Sequence, residues 1–340
     1  MPNGDVYSPG LRYVCFETAS RVGKLAQGMS RDMLMGVGSG LLAGALWGFV
    51  FIAPGLTADF TAAQISAARY LAYGLIAVPL LAPRWRALSR KLTRADWLAL
   101  VWLGLTGNIV YYVFLSTAVQ LAGPAPTSLI VGLLPVVITL IGAREKGAIP
   151  LRALAPSLAL AVAGVALISF TSLAQGGAHG SWQRQALGLL CAGGALACWA
   201  AYAVGNARAI ARVPDISSQD WSLLLGVATA AQCVVLAVPA FALSPVPQSH
   251  EAWLRFSAVS IAIAIGASVI GNALWNSASR RLPLTMMGQL VVFETLFALL
   301  YSFGWERRWP TLLEVTAITA LLAGVWWCAA THRIERPAHD

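Results

Sequence analysis

The chain has 340 residues, of which 58% are hydrophobic and only 11% are charged, against roughly 25% charged in an ordinary soluble domain. So little charge cannot cover a water-facing surface, which excludes a large soluble core and makes lipid the expected solvent. The net charge of +9 comes from 23 Lys and Arg against 14 Asp and Glu, but the basic residues fall between apolar runs, so they read as membrane-orientation signals and not as a nucleic-acid surface.

Residues 1–32 are polar and mixed, with Arg12, Arg21, Lys24 and Arg31 but no long apolar run. They read as a disordered cytoplasmic tail, or as an over-extended start with Met29 or Met33 opening the protein. No A-x-A site follows the first apolar run, so a cleaved signal peptide is not expected. Ten windows then approach the roughly 20 apolar residues that a spanning helix needs. They are 33–53, 62–82, 96–119, 125–142, 151–173, 187–207, 219–243, 253–277, 284–303 and 311–330, and residues 331–340 form a second tail. Helix-stopping chemistry separates them: Pro54-Gly55, Pro83, Gly123-Pro124, Gly147 with Pro150, Gly176-Gly177, Pro214, Pro245 with Pro247, Pro283 and Pro310. With the amino terminus inside the cell, outer loops hold only Arg184, Arg255, Arg307 and Arg308, while every other basic residue except Arg69 is cytoplasmic. This asymmetry predicts an all-α membrane protein with ten transmembrane helices and both termini in the cytoplasm of a bacterial-type cell.

Several spans carry residues that suit more than packing. In the first, Gly36, Gly40, Gly44 and Gly48 form a ridge for close helix approach, serving static packing or a sliding contact. In the second, Ser66, Arg69, Tyr70 and Tyr73 share one face. Arg69 lies about 12 Å deep at 1.5 Å per residue, where a cation costs at least ~2.5 kcal/mol. It reads either as a contact for an anionic substrate group or as a structural ion pair or snorkelling side chain. The third span repeats the spacing with Asn108, Tyr111, Tyr112 and Leu115, the sixth with Trp199, Tyr202 and Asn206, and the eighth with Asn272, Trp275, Asn276 and Ser279. Amides and aromatics on one face suit a wet cavity for a small amphipathic solute, or interhelical hydrogen bonds with aromatic packing. Glu294, mid-way along the ninth span, reads as a proton carrier, a counter-ion of Arg69 or a hydrogen-bond donor between helices. Glu314 is closer to an interface. Trp97, Trp182, Trp221, Trp253, Trp305 and Trp309 sit at span ends as interface anchors. The five cysteines form no C-x-x-C pair and the four histidines are scattered, so no metal, disulfide framework or cofactor is expected.

Ten spans divide into two sets of five, and because five is odd the second set runs upside down. That is an inverted repeat, which places a substrate site near the midplane. Aligning the stretch from Phe114 with that from Leu274 puts Thr117-Ala118 on Ser277-Ala278 and Gly123 on Pro283. Gly107-Asn108 and Gly271-Asn272 form another pair at a different offset. LWGFVFIAPGL ending at Leu56, AARYLAYG around Arg69, LLPVVITLIGAREK around Pro135 and Glu145, and FETLFALLYSFGWER around Glu294 resemble the EamA-type modules of the drug/metabolite transporter superfamily. The resemblance covers about residues 33–330 and departs at Thr295, where the family's ninth span carries a proline and a bend. It implies repeats at 33–173 and 187–330 and a secondary transporter, often an exporter of amino acids or related metabolites. Candidate cavity residues are Arg69, Tyr70, Tyr73, Asn108, Tyr111, Tyr112, Tyr202, Asn272, Trp275, Asn276 and Glu294. The expected partners are a small-molecule substrate and the lipid bilayer, with a homodimer left open. A membrane-embedded enzyme is the weaker alternative, because the spans hold no His and their cysteines have no nearby base. A sensor or assembly subunit would need longer loops.

Overall fold

In lipid every backbone polar group must be satisfied within the segment, and among the described residues of the computed structural model every regular element is helical. The structure describes residues 31–142, 181–243, 249–282 and 284–334, with short helical pieces between 155 and 167. The helices are α1 (Arg31–Leu56), α2 (Ala62–Ser89), α3 (Arg94–Ala122), α4 (Pro124–Val131), α5 (Leu134–Gly142), α6 (Trp182–Arg212), α7 (Ser218–Ala242), α8 (His250–Arg281), α9 (Leu284–Glu306) and α10 (Leu312–Ile334). Of these, α1, α2, α3, α6, α7 and α8 are long and apolar enough to cross a membrane. The expected fourth span is divided into α4 and α5 by a turn at Gly132 and Leu133. Most of the fifth, with Glu145 and Pro150, lies outside the described residues, as do residues 1–30 and 335–340.

Polar side chains set where the helices begin. Thr61 with Gln64 and Thr93 with Asp96 form reciprocal capping boxes at α2 and α3. Ser217 and Ser249 each accept a backbone N–H at the starts of α7 and α8, and Thr311 pairs with Glu314 in the same way at α10. Each cap satisfies donors that no carbonyl of the helix can reach. Pro79 lies near the end of the first stretch of α2, just before its 3-10 turn at Ala82–Arg84, and Pro239 lies near the last turn of α7, where loss of one backbone bond is tolerated.

Of the glycine ridge of α1, Gly36 is buried against Arg281 and Leu282 at the end of α8, and Gly40, Gly44 and Gly48 are buried against α9. A Cβ on Gly40 would meet the Leu290 side chain at 2.4 Å, one on Gly44 the Glu294 backbone nitrogen at 3.1 Å, and one on Gly48 the Phe297 Cβ at 2.9 Å. The ridge therefore seats Leu290, Glu294 and Phe297, a matching face of α9. Helices α2 and α7 lie together along much of their length, with the Tyr73 ring over Gly226 and its hydroxyl donating to the Ser222 carbonyl at 2.6 Å.

The two halves interlock by exchange. The first helix of each half crosses onto the third helix of the other, α1 on α8 and α6 on α3. Both third helices widen into a π-helical stretch at the crossing, Leu105–Val110 in α3 and Ala264–Gly271 in α8. This local repeat places Gly107-Asn108 and Gly271-Asn272 in corresponding surroundings, despite the shift of about one turn between the matches in sequence.

Candidate functional site

The widened turns of α3 and α8 face a cavity of about 50 Å³ between the halves, room for on the order of four waters at roughly one probe sphere each. Nine of the expected candidates line it: Arg69, Tyr70, Asn108, Tyr111, Tyr202, Asn272, Trp275, Asn276 and Glu294. Tyr73 and Tyr112 do not. Tyr73 bolts α2 to α7 through Ser222, and Tyr112 stands behind Arg69, buried, with a hydroxyl that has no hydrogen-bond partner among the described residues.

Arg69 is 6% exposed. Its guanidinium carbon lies 4.3 Å from the centre of the Tyr112 ring and 4.9 Å from that of Tyr70, and Nε donates to Ser268 Oγ at 3.3 Å. The two ring faces offset part of the cost of desolvating the cation. Nη1 is buried and, among the described residues, has no hydrogen-bond partner. Glu294 is 5% exposed and is brought to the same cavity by the α9 face that docks on the α1 glycines. No ion pair joins Glu294 to Arg69 among the described residues, so the counter-ion reading is not met by direct contact. The amides differ in how they are held. Asn108 Nδ2 donates to Thr229 Oγ1 at 2.9 Å, and Asn276 Nδ2 donates to the Ser218 carbonyl at 3.1 Å and to Ser222 Oγ at 2.5 Å.

Aromatic rings supply most of the remaining wall, in a near-symmetric set. Trp47 of α1 lies 5.1 Å from Trp275 of α8, Trp199 of α6 lies 6.1 Å from Tyr111 of α3, and the two tryptophans meet edge-on at 5.8 Å. Trp275 and Tyr111 each follow their cavity-lining Asn by three residues. Gly271 and Gly107 give the rings their seats. A Cβ on Gly271 would stand 2.8 Å from Trp47 Nε1, and one on Gly107 would stand 2.1 Å from the Tyr202 ring. Trp47 is further fixed by donating Nε1 to the Ala267 carbonyl at 3.0 Å. Trp47, Val50, Gly107 and Trp199 were not among the expected cavity candidates. Asn206, on the expected Trp199 stripe, instead accepts from Trp221 Nε1 at 2.8 Å.

This arrangement offers one unpaired cation, one carboxylate and a set of ring faces around a small polar space. The groups present are complementary to an anion at Arg69 and to a proton or cation at Glu294, with aromatic carbon beside them. The described residues contain no group of His, Cys, Asp and Glu that could hold a metal ion.

The EamA-like transporter family matches the chain twice, over residues 34–170 and 186–329. The inner membrane protein YtfF of Escherichia coli (strain K12) is 35% identical over 309 residues, covering 86% of this chain and 94% of that protein. A crystal structure at 22% identity superposes with a TM-score of 0.62, covering 88% of this chain and 99% of its own, and shares the fold.

Proposed function

The chain belongs to the EamA-like transporter family, and from that premise we propose that it exports amino acids or related small metabolites across the inner membrane by alternating access. Family membership makes it a membrane transporter and argues against an enzyme. The observation that carries the finer reading is the pair of buried charges, Arg69 and Glu294, which face one cavity without forming an ion pair. A charge within a span is expensive unless it is paired or used. A ligand that brings its own opposite charges supplies the missing partners.

In this reading Arg69 takes a substrate carboxylate. Its guanidinium sits in the corner made by the Tyr70 and Tyr112 rings, which stand at 82° to each other, and Nη1 is free to take an acceptor. Glu294 takes an ammonium group or the coupling proton, and the aromatic set holds the apolar part of the solute. Both termini lie in the cytoplasm, as the basic residues indicate. Repeats at 33–173 and 187–330, flanked by tails at 1–32 and 331–340, rock about the crossings of α1 with α8 and α6 with α3.

The test is an export and growth-toxicity screen of amino acids and analogues in cells with and without the protein, followed by flux into liposomes. The expected result is transport of an acid and exclusion of its amide. Equal flux of acid and amide would remove the assigned role of Arg69, and absence of flux for every compound would remove the exporter reading.

A further inference from the structure

At the basic end of the bundle the two halves exchange charges. Arg84, in the 3-10 turn near the end of α2, reaches across to Asp220 in the first turn of α7, with Nη1 2.8 Å from Oδ1. Arg212, closing α6, reaches back to Asp96 in the first turn of α3, with Nε 3.5 Å from Oδ1. Each bridge therefore joins a helix end in one half to a helix start in the other, and the two run in opposite directions. Lys91 Nζ donates to the Asp215 carbonyl at 3.5 Å beside them.

We propose that these two reciprocal bridges are the latch that closes the cavity at the basic end, and that their release opens it there. Three observations support this. First, the latch adjoins the cavity: the Ser218 and Ser222 groups that hold the cavity-lining Asn276 lie on the same turn of α7 as Asp220. Asn276 of α8 is thus tied to the turn of α7 that carries Asp220, so any movement of that turn on release of Arg84 reaches the cavity wall. Second, the carboxylates are nearly buried, at 6% and 10% side-chain exposure, while the arginines are about half exposed at 50% and 47%. The carboxylates must regain water when the halves separate, whereas the arginines are already wet. Such half-solvated pairs are weak individually, as a contact broken in every cycle must be. Third, the opposite end carries its own cross-half bridge, Asp59 to Arg255. One charge comes from the link after the first helix and the other from the start of a third helix, with signs opposite to those of Arg212 and Asp96. Two latches at opposite ends, related through the repeat, are what alternate opening requires.

This inference rests on the transporter reading, but its test needs no substrate. A variant with its native cysteines replaced by alanine carries Asn272→Cys in the cavity. A membrane-impermeant thiol reagent is applied to right-side-out and inside-out vesicles. Asp96→Asn with Asp220→Asn should raise labelling from the basic end by about tenfold, the factor given by ~1.4 kcal/mol of lost closure, and lower it from the other end. Asp59→Asn should do the reverse. Arg84→Gln with Arg212→Gln, which alters only the exposed partners, should repeat the first result if the Asp variants fail to insert. The exchange Arg84→Asp with Asp220→Arg should restore the original rate. It is preferred over Asp96 because Asp96 Oδ2 also accepts from Thr93 N and Oγ1. Unchanged labelling in the neutralised variants, or an exchange that fails to restore it, overturns the latch. A responsive latch in a protein that moves no tested solute would leave this inference standing and remove the exporter reading alone.

Discussion

Substitution of Arg69 tests the site most directly. The guanidinium carbon lies 4.3 and 4.9 Å from two ring centres, and among the described residues Nη1 has no hydrogen-bond partner. A charge-assisted hydrogen bond contributes about 1.5–3 kcal/mol, so Arg69→Gln should weaken apparent affinity for a carboxylate solute by about 10–150-fold. Arg69→Lys keeps the charge but loses the planar fork and the ring stacking, about 1–2 kcal/mol, or about 5–30-fold. Flux into proteoliposomes over a substrate range measures this, with insertion and thermal midpoint followed in parallel because the two tyrosines lose their partner as well. Wild-type apparent affinity in Arg69→Gln at equal insertion would refute the reasoning. Adding Glu294→Gln extends the test. The two charges make no direct ion pair, so the double variant should be no better than either single one, and recovery toward wild type would show that they pair in the working protein.

Gly107→Ala should abolish most transport while sparing insertion, because its Cβ would stand 2.1 Å from the Tyr202 ring and drive it from the cavity; unaltered flux would show that the ring has room to yield. Gly44→Val should cost about 1–3 kcal/mol of stability by overpacking against the Glu294 backbone, read as a lower thermal midpoint in detergent; an unchanged midpoint would mean that α1 and α9 separate freely. Arg308 donates to both Glu314 oxygens, at 2.7 and 2.6 Å, and this carboxylate holds it above its ordinary pKa. Since the arginine is 37% exposed, Arg308→Ala should cost no more than about 1 kcal/mol, less at high salt, and leave transport intact; lost transport would place this corner in the mechanism. Reporter fusions after residues 90 and 210 should read cytoplasm and those after 57 and 248 periplasm; a periplasmic signal at 90 would reverse the orientation.

The sequence shows the helices plainly because lipid demands long apolar runs, and their starts are legible in caps such as Thr61 with Gln64. The α1 glycine ridge was legible as a close approach, though not its partner, since spacing within one helix says nothing about which neighbour fills the groove. Arg69 and Glu294 could be singled out because charge is rare in a span. Tyr73 and Tyr112 show the limit of a stripe: helical spacing puts Tyr73 on the Arg69 face of α2 and Tyr112 on the Asn108 face of α3, yet one is spent on Ser222 and the other lies behind the guanidinium. Trp199 is legible as part of a cavity-facing stripe with Tyr202, whereas Trp47 is not, because it stands in an apolar run with no polar neighbour at helical spacing. Comparing Ala45-Leu46-Trp47-Gly48 with Ala197-Cys198-Trp199-Ala200, in the first helix of each half, points from Trp199 to Trp47. The π-helical widening has no such signature, since it depends on the rings it accommodates.

The near-symmetric wall and the asymmetric charges have a consequence for how such a chain can arise by duplication. Trp47 answers Trp199, Asn108 answers Asn272 and Tyr111 answers Trp275, so this scaffold could be built from two copies of one half. The charges could not. Arg69 belongs to the first half and Glu294 to the second. Two first halves would bring a pair of guanidinium groups to one cavity with no carboxylate, and two second halves would bring a pair of carboxylates with no cation. Each assembly would bury like charges. Once the halves had divided these two roles, neither could revert to self-pairing, and the covalent link between them became the means of guaranteeing one of each.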